Sequence, residues 1–242
     1  MLSYNIQTGI SYQHYGHYLT RSWRHVVPHD TRRRNLDAIA GYLDAYDVVA
    51  LQETDAGSLR TGYTNQTEYL ARQSNFPFWL DQTNRRLGHF ARHSNGLLSR
   101  FRPHGVVRHR LPGLPGRGAL VAEFGRSHGS IAVFVLHLAL GRATRLRQMD
   151  YLVELVNQFE HVIFMGDLNC DPWSPEMQLL VRATRLGAPI RHHGTYPSWR
   201  PRRRIDHILV TPEIQIQRSF VPHWRYSDHL PIAMDVILPE PI

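Results

Sequence analysis

Four short segments each place polar side chains with metal-binding groups at one end of a predicted strand. Three of them follow strands and read Tyr4-Asn5-Ile6, Leu51-Gln52-Glu53 and Met165-Gly166-Asp167-Leu168-Asn169, and the fourth, Ser227-Asp228-His229-Leu230-Pro231, precedes the last strand. Carboxylates at strand ends are costly unless they are solvated or paired, and several that converge repel one another. A hard divalent cation removes that conflict, because Mg²⁺ binds carboxylate oxygens while keeping several waters.

Each segment alone is weak evidence, because an Asp at a strand end is usually a turn or cap residue. Together and in this order, the segments resemble the endonuclease/exonuclease/phosphatase superfamily, which has the deoxyribonuclease I-like fold. Three further stretches carry the resemblance: Asn95-Gly96-Leu97-Leu98-Ser99-Arg100, His137-Leu138 and Arg204-Ile205-Asp206-His207. The resemblance implies divalent-metal-dependent hydrolysis of phosphate esters. It also implies an α+β fold, a four-layer α/β/β/α sandwich of two mixed β-sheets flanked by helices.

The resemblance assigns three residues to the metal site. Glu53 resembles the principal Mg²⁺ ligand, Asn5 a residue that helps hold the metal or its waters, and Asp228 a further carboxylate of the site. Mn²⁺ is a possible substitute for Mg²⁺. Whether one metal or two are bound stays open.

Five residues resemble the catalytic set of the superfamily. Asp167 resembles the residue that orients or deprotonates the attacking water, and Asn169 the residue that positions nucleophile and phosphate. His229 resembles the His beside the scissile phosphate, Asp206 the carboxylate that orients it, and His137 a second His that donates to a phosphate oxygen. A His paired with a carboxylate is favoured in its charged form and can donate a proton near neutral pH. Which group acts as acid and which as base stays open.

Two segments that mix aromatic residues with Arg are expected to flank the site, residues 12–24 and residues 192–204. Rings above a charged groove suit stacked bases, and Trp, Tyr and Arg equally suit an anionic membrane interface. Arg100, Trp199 and Arg200 are candidate substrate-binding residues. His207 is expected to point away from the site, and Cys170 to serve packing.

The elements that must position these residues follow from periodicity and turn signals. Strands are predicted at residues 1–7, 47–51, 95–99, 103–110, 118–124, 129–136 and 161–165, and near 204–210, 214–219 and 231–238. Helices are predicted at residues 33–45, 65–73, 143–158 and 174–184. Many strands and few helices indicate two packed sheets with helices outside, in one domain spanning residues 1–242. Periodicity does not determine how the strands are connected.

The composition limits the possible partners. The formal net charge is +8, and all 28 basic residues are Arg. This balance suits a nucleic acid or an anionic lipid surface, although the missing Lys is also explained by codon bias in a GC-rich genome. With one Cys there is no disulfide framework within the chain. No membrane span or signal peptide is expected, so a cytoplasmic location is predicted. The protein is also predicted to be a monomer with no obligate protein partner.

Three functions stay open at this point. A Mg²⁺-dependent nuclease ranks first, and Gln7 counts against a dedicated abasic-site enzyme, because such members typically carry an acidic residue there. A phosphodiesterase or phosphatase for phospholipid headgroups or another small phosphoester, similar to a sphingomyelinase, is the second. A non-catalytic nucleic-acid-binding protein is the third.

Overall fold

The computed structural model describes residues 1–10, 30–125, 129–189 and 193–239. Within these ranges the strands are β1 (Leu2–Asn5), β2 (Val48–Asp55), β3 (Phe78–Leu87), β4 (Ala91–Ser99), β5 (Gly105–Arg110), β6 (Gly118–Phe124), β7 (Ile131–His137), β8 (His161–Asp167), β9 (Asp206–Val210), β10 (Gln215–Phe220) and β11 (Ile232–Ile237). The helices are α1 (Asp30–Leu43), α2 (Gln66–Gln73), α3 (Arg142–Val156) and α4 (Pro175–Ala183). Short 3₁₀ turns lie at Gln7–Gly9 and Leu59–Thr61.

The strands form two mixed sheets. The first has six strands in the order β10-β11-β1-β2-β4-β3, and the second has five in the order β5-β6-β7-β8-β9. Within each sheet one pair is parallel, β1 with β2 and β7 with β8, and the other neighbours are antiparallel. The carboxyl ends of both strands of a parallel pair therefore meet at one edge of their sheet.

Three apolar clusters separate four layers. One lies between the sheets and joins Ala50 and Leu97 of the first sheet to Val133 and Ile163 of the second. A second packs α1 and α2 against the first sheet, and a third packs α3 and α4 against the second. Burial of apolar side chains on both faces of each sheet provides the main stabilisation. The predicted α/β/β/α sandwich of two mixed sheets is confirmed.

One long strand was not predicted from the sequence. β3, Phe78-Trp79-Leu80-Asp81-Gln82-Thr83-Asn84-Arg85-Arg86-Leu87, has no regular apolar alternation, and most of its side chains are partly or fully exposed. It is the edge strand of the first sheet and pairs only with β4. Its backbone pairing, rather than burial of one face, makes it a strand, and such pairing leaves little trace in sequence.

No helix in the described ranges is both long enough and apolar enough to cross a bilayer.

Candidate active site

The two parallel strand pairs bring four of the predicted site residues together. Asn5 ends β1 and pairs in register with Gln52 of β2, which directly precedes Glu53. His137 ends β7 and pairs with Asp167, which ends β8. Asp206, the first residue of β9, pairs with Asp167 from the other side. Strand order therefore gathers residues that are far apart in sequence.

A backbone irregularity in β2 directs Glu53. Its φ is +55°, and the pairing of β2 with β4 shifts register between Leu51 and Thr54. A bulge of this kind re-aims a side chain at the end of a strand. Thr8 holds the local backbone by donating its hydroxyl to the carbonyl oxygen of Glu53 at 3.1 Å. The Glu53 side chain stays 36% exposed, so its carboxylate is reachable from solvent.

The Asp167 carboxylate lies close to three other predicted site residues. Its Oδ2 lies 3.1 Å from Asn5 Nδ2, 3.5 Å from His137 Nε2 and 3.8 Å from His229 Nε2. Asn5 Nδ2 also donates to Glu53 Oε1 at 3.3 Å, so one amide bridges the two carboxylates. Burial and then the charge of Asp206 raise the pKa of Asp167 to about 7. A carboxyl with this pKa exchanges a proton readily near neutral pH.

The backbone on either side of Asp167 has unusual conformations. Gly166 has a φ of +152°, and a Cβ there would lie 2.1 Å from the carbonyl oxygen of Leu136 on the neighbouring parallel strand. Asn169 has a φ of +53°, donates its backbone N–H to Asp167 Oδ1 at 3.0 Å, and donates its amide to the carbonyl oxygen of Leu138. The Gly-Asp-Leu-Asn motif is therefore a turn that fixes the Asp167 carboxylate.

His229 and Asp206 form a buried pair. His229 Nδ1 lies 2.9 Å and 3.2 Å from the two oxygens of Asp206, and the Thr195 hydroxyl donates to the same carboxylate. Burial alone would lower the pKa of His229, but the charges of Asp206, Asp167 and Asp228 together outweigh it and hold that pKa well above its usual value. The ring therefore stays protonated at neutral pH, with Nε2–H directed toward Asp167.

His137 has the opposite protonation state. Burial and then the Arg117 guanidinium hold its pKa well below the usual value. Arg117 lies 3.3 Å from His137 Nδ1, and because a guanidinium only donates, Nδ1 must accept. The neutral ring then carries its proton on Nε2, the nitrogen that faces Asp167 and, at 3.8 Å, Glu53.

The last part of the site is the loop before β11, where Asp228 lies. The backbone N–H of Ser198 donates to the Asp228 carbonyl oxygen at 2.7 Å, so residues 193–204 pack directly on this loop. The Tyr196 ring contacts the His229 ring with centroids 4.8 Å apart. Trp199, half-buried, and Arg200, exposed, follow in the same segment.

The donor set fits a hard cation. Buried or partly buried carboxylates of Glu53, Asp167, Asp206 and Asp228 converge here, and burial together with the Glu53 charge raises the pKa of Asp228 to about 6. Carboxylate oxygens of this kind are the ligands that Mg²⁺ prefers. Ligand atoms of Asp167, Asp206 and His229 also lie within 4.8 Å of one another, close enough to hold a metal ion. In that trio, His229 Nδ1 is already hydrogen-bonded to the Asp206 carboxylate, and this bond competes with metal binding by the same atoms.

A cavity of about 590 Å³ opens beside Glu53 and His137. The β3–β4 hairpin lines one wall through Arg85 and His93, and the turn before β6 lines another through Leu114 and Arg117. Burial and then the Arg60 charge lower the pKa of His93 to about 4. The cavity is large enough for part of a substrate that extends from the acidic cluster.

One predicted substrate-binding residue lies away from the site. Arg100 donates to Asp44 Oδ1 at 2.7 Å and to the Tyr46 carbonyl oxygen, and its guanidinium lies over the Phe76 ring. Its backbone N–H pairs with Asp47, at the start of β2 and thus at the opposite end of the strand from Glu53. Arg100 therefore has a structural role, because it directly follows the end of β4 that lies away from the site.

The remaining predicted features are placed as follows. His207 Nε2 lies 2.9 Å from the Cys170 carbonyl oxygen, and Cys170 is buried in the cluster under α3 and α4. The predicted flanking segment at residues 12–24 lies outside the described residues. Sequence reasoning did not name Arg117 as a site residue and included Tyr196 only within the flanking segment, residues 192–204. Only the fold shows that Arg117 contacts His137 and that Tyr196 contacts His229.

The profile of the endonuclease/exonuclease/phosphatase family matches residues 2–229. No curated protein sequence matches the chain.

Several solved structures share the fold. An endonuclease/exonuclease/phosphatase from Beutenbergia cavernae has a TM-score of 0.74 and 22% identity, over 98% of this chain and 70% of that one. A mannosyl-6-phosphatase from Bacteroides thetaiotaomicron has a TM-score of 0.72 and 16% identity, over 98% of both chains. Humanized TDP2 of D. rerio has a TM-score of 0.68 and 17% identity, over 98% of this chain and 97% of that one. The chain therefore belongs to the endonuclease/exonuclease/phosphatase family of metal-dependent phosphoesterases.

Proposed function

We propose that this protein is a Mg²⁺-dependent hydrolase of phosphodiesters. The observation that carries the proposal is the convergence on Asp167 Oδ2, which places an amide, a neutral His and a charged His around one carboxylate. Hydrolysis of a phosphate ester needs a positioned water, neutralised phosphate oxygens and a proton for the leaving oxygen. The groups around Asp167 are suited to meet these three requirements.

Glu53 and Asp228 are the residues we expect to hold the cation, with Asn5 bracing the Glu53 carboxylate through its amide. Glu53 is suited to this because it remains partly exposed and is aimed by the bulge in β2. When bound, Mg²⁺ supplies charge neutralisation for the phosphate oxygens. Mn²⁺ is expected to substitute, because it takes the same oxygen ligands.

The chain's own residues divide the remaining work. Asp167, with its pKa near 7, accepts a proton from the attacking water, and Asn169 keeps its carboxylate oriented. His229, held protonated by Asp206, donates a hydrogen bond to a phosphate oxygen or to the leaving oxygen. His137 is neutral with its proton on Nε2 and donates without adding charge.

The first experiment compares hydrolysis of bis-p-nitrophenyl phosphate and p-nitrophenyl phosphate with Mg²⁺, with Mn²⁺ and with chelator. We expect metal-dependent release from the diester, abolished in His229→Ala. The matched control is His223→Ala, an exposed His of the same loop. Release from the monoester alone would instead make the protein a phosphatase, the activity named for the Bacteroides neighbour. Absence of turnover on both compounds, on DNA and RNA, and on phospholipid vesicles would refute the proposal.

Two classes of natural substrate are candidates. Nucleic acid is supported by the net charge of +8 and by exposed Arg200 beside Trp199. Phospholipid headgroups are supported by exposed leucines at the cavity, Leu114 and Leu140. Metal-dependent cleavage of single- and double-stranded DNA and RNA tests the first class, and release of headgroups from vesicles tests the second. A non-catalytic binding protein would show neither.

A further inference from the structure

The five most exposed large apolar side chains of the described residues lie in loops at the same end of the two sheets. Leu114 is 86% exposed and Leu140 76%, and Tyr63, Phe90 and Trp173 are each more than half exposed. We call these five residues the rim. Isolated exposed apolar residues are ordinary on protein surfaces, but several that lie beside a cleft are typical of an interaction site.

Two rim residues adjoin the reaction centre directly. Leu114 lies in the turn from β5 to β6, and Leu140 lies three residues beyond His137. Both line the same cavity as Glu53 and His137. Their side chains therefore stand at the mouth of the candidate active site.

Tyr63 and Phe90 extend the rim along the first sheet. Phe90 is at the tip of the β3–β4 hairpin, and its carbonyl oxygen accepts the backbone N–H of Arg60 in the turn that leads to Tyr63. Asp55, two residues after Glu53, ties the two loops together, because its carboxylate accepts from Arg60 Nε at 2.6 Å and from the backbone N–H of Arg92 at 3.1 Å. Hydrogen bonds therefore hold together the two loops that contain Tyr63 and Phe90.

Trp173 lies at the same end of the second sheet, in the segment that follows β8. It lies in the turn between Asn169 and α4, and its carbonyl oxygen accepts from Gln178 Nε2 at 3.0 Å. By contrast, the exposed Ile216 and Ile237 lie at the far end of the first sheet, because β11 is antiparallel to β1 and runs away from Asn5. Ile216 and Ile237 therefore serve as control positions outside the rim.

The chemistry of the rim favours lipid over nucleic acid. Bases stack on aromatic rings or guanidinium planes, whereas leucine offers no flat face to stack on, and the two most exposed rim residues are leucines. Leucine and aromatic side chains beside Arg are typical of segments that bind the boundary between headgroups and acyl chains. Exposed Arg85 and Arg86 on β3 add positive charge beside the cavity. The negative charges on this side include Glu53, which is 36% exposed, and the exposed Asp171 next to Trp173.

We propose that the rim docks the protein onto an anionic lipid surface, with the cavity facing that surface. The apolar side chains enter the headgroup boundary, and the arginines meet anionic headgroups. This inference extends the proposed function by placing the site against a bilayer. Vesicle binding requires no turnover, so the two proposals can fail separately.

The test is co-sedimentation of the full chain with vesicles of phosphatidylcholine alone or with 30% phosphatidylglycerol, in chelator so that lipid is not consumed. We expect binding to the anionic vesicles, weakened at high salt. The double variant Leu114→Ser/Leu140→Ser should bind at least tenfold more weakly. The control Ile216→Ser/Ile237→Ser should bind as wild type does. Circular dichroism and thermal midpoints of both variants confirm that they fold.

Four results would overturn the inference. The first is equal vesicle binding by the rim and control variants, and the second is no binding of the wild type to anionic vesicles. The third is loss of single-stranded DNA binding in the rim variant with vesicle binding unchanged, which would assign the surface to nucleic acid. Self-association that disappears only in the rim variant, without vesicle binding, would assign it to a second copy of the chain.

Discussion

Replacing Asp167 with Asn should abolish turnover and, at the same time, stabilise the metal-free protein. The folded-state pKa of Asp167, about 7, lies above its ordinary value of 3.8. Folding therefore favours the protonated carboxyl, and the ionised form costs stability. The penalty begins as pH rises above 3.8 and is complete above about 7, where the difference corresponds to about 4 kcal/mol. Asn cannot ionise and avoids this penalty.

The substitution also loses an interaction. With Asn in place, the amide group that replaces Oδ2 faces the donating amide of Asn5, which costs about 1 kcal/mol. His229 keeps its closer partner, Asp206. The net gain expected at pH 8 in chelator is about 3 kcal/mol, which for a chain of this length raises the thermal midpoint by roughly 6–12 °C. The gain should shrink toward pH 5, where less of the penalty applies to the wild type.

The assay is thermal and denaturant unfolding at pH 5 and pH 8, in chelator and in Mg²⁺, with turnover of the diester measured alongside. Turnover should fall at least ~100-fold, the usual contribution of a positioned base. Mg²⁺ should stabilise the wild type more than the variant, because the cation offsets the repulsion that Asn has removed. Asp171→Asn, an exposed carboxylate nearby, is the control and should change stability by less than about 0.5 kcal/mol. A variant that is less stable than wild type at pH 8 in chelator, or that turns over normally, would refute this reasoning.

Three further predictions follow from single positions. Glu53→Gln should weaken Mg²⁺ binding, measured by calorimetry, at least ~10-fold with unchanged secondary structure, and wild-type affinity would remove Glu53 from the metal site. Gly166→Ala should destabilise the fold by more than about 3 kcal/mol, seen as loss of soluble protein, because the new Cβ meets the Leu136 carbonyl oxygen; a normal unfolding midpoint would contradict the packing described. Arg100→Ala should cost about 1–2 kcal/mol of stability through loss of its contacts with Asp44 and leave kcat/KM unchanged, so a rise in KM alone would return Arg100 to substrate binding.

The layered architecture was predictable because it depends on periodicity. An apolar run as short as residues 162–165 indicates a strand buried on both faces, because it is too short for a helix, and a few amphipathic helices must cover what the sheets leave open. The polar strand extensions were harder to predict. β2 runs on through Glu53 to Asp55, where the apolar pattern has ended, because pairing with β4 continues past the bulge. β3 was missed for the same reason.

The sequence by itself determined the residue types at the site and their order, because polar groups at the ends of apolar strands leave a local signature. Only the tertiary structure decided which of them meet, since that depends on the parallel pairing of β1 with β2 and of β7 with β8. The tertiary structure also determined the protonation states of Asp167 and His229. The charge of Asp206 raises the pKa of both Asp167 and His229; burial adds to this effect for the Asp167 carboxyl and opposes it for the His229 ring. Arg117 and Arg100 are chemically identical, yet one contacts His137 and the other Asp44, because they lie at opposite ends of their sheets.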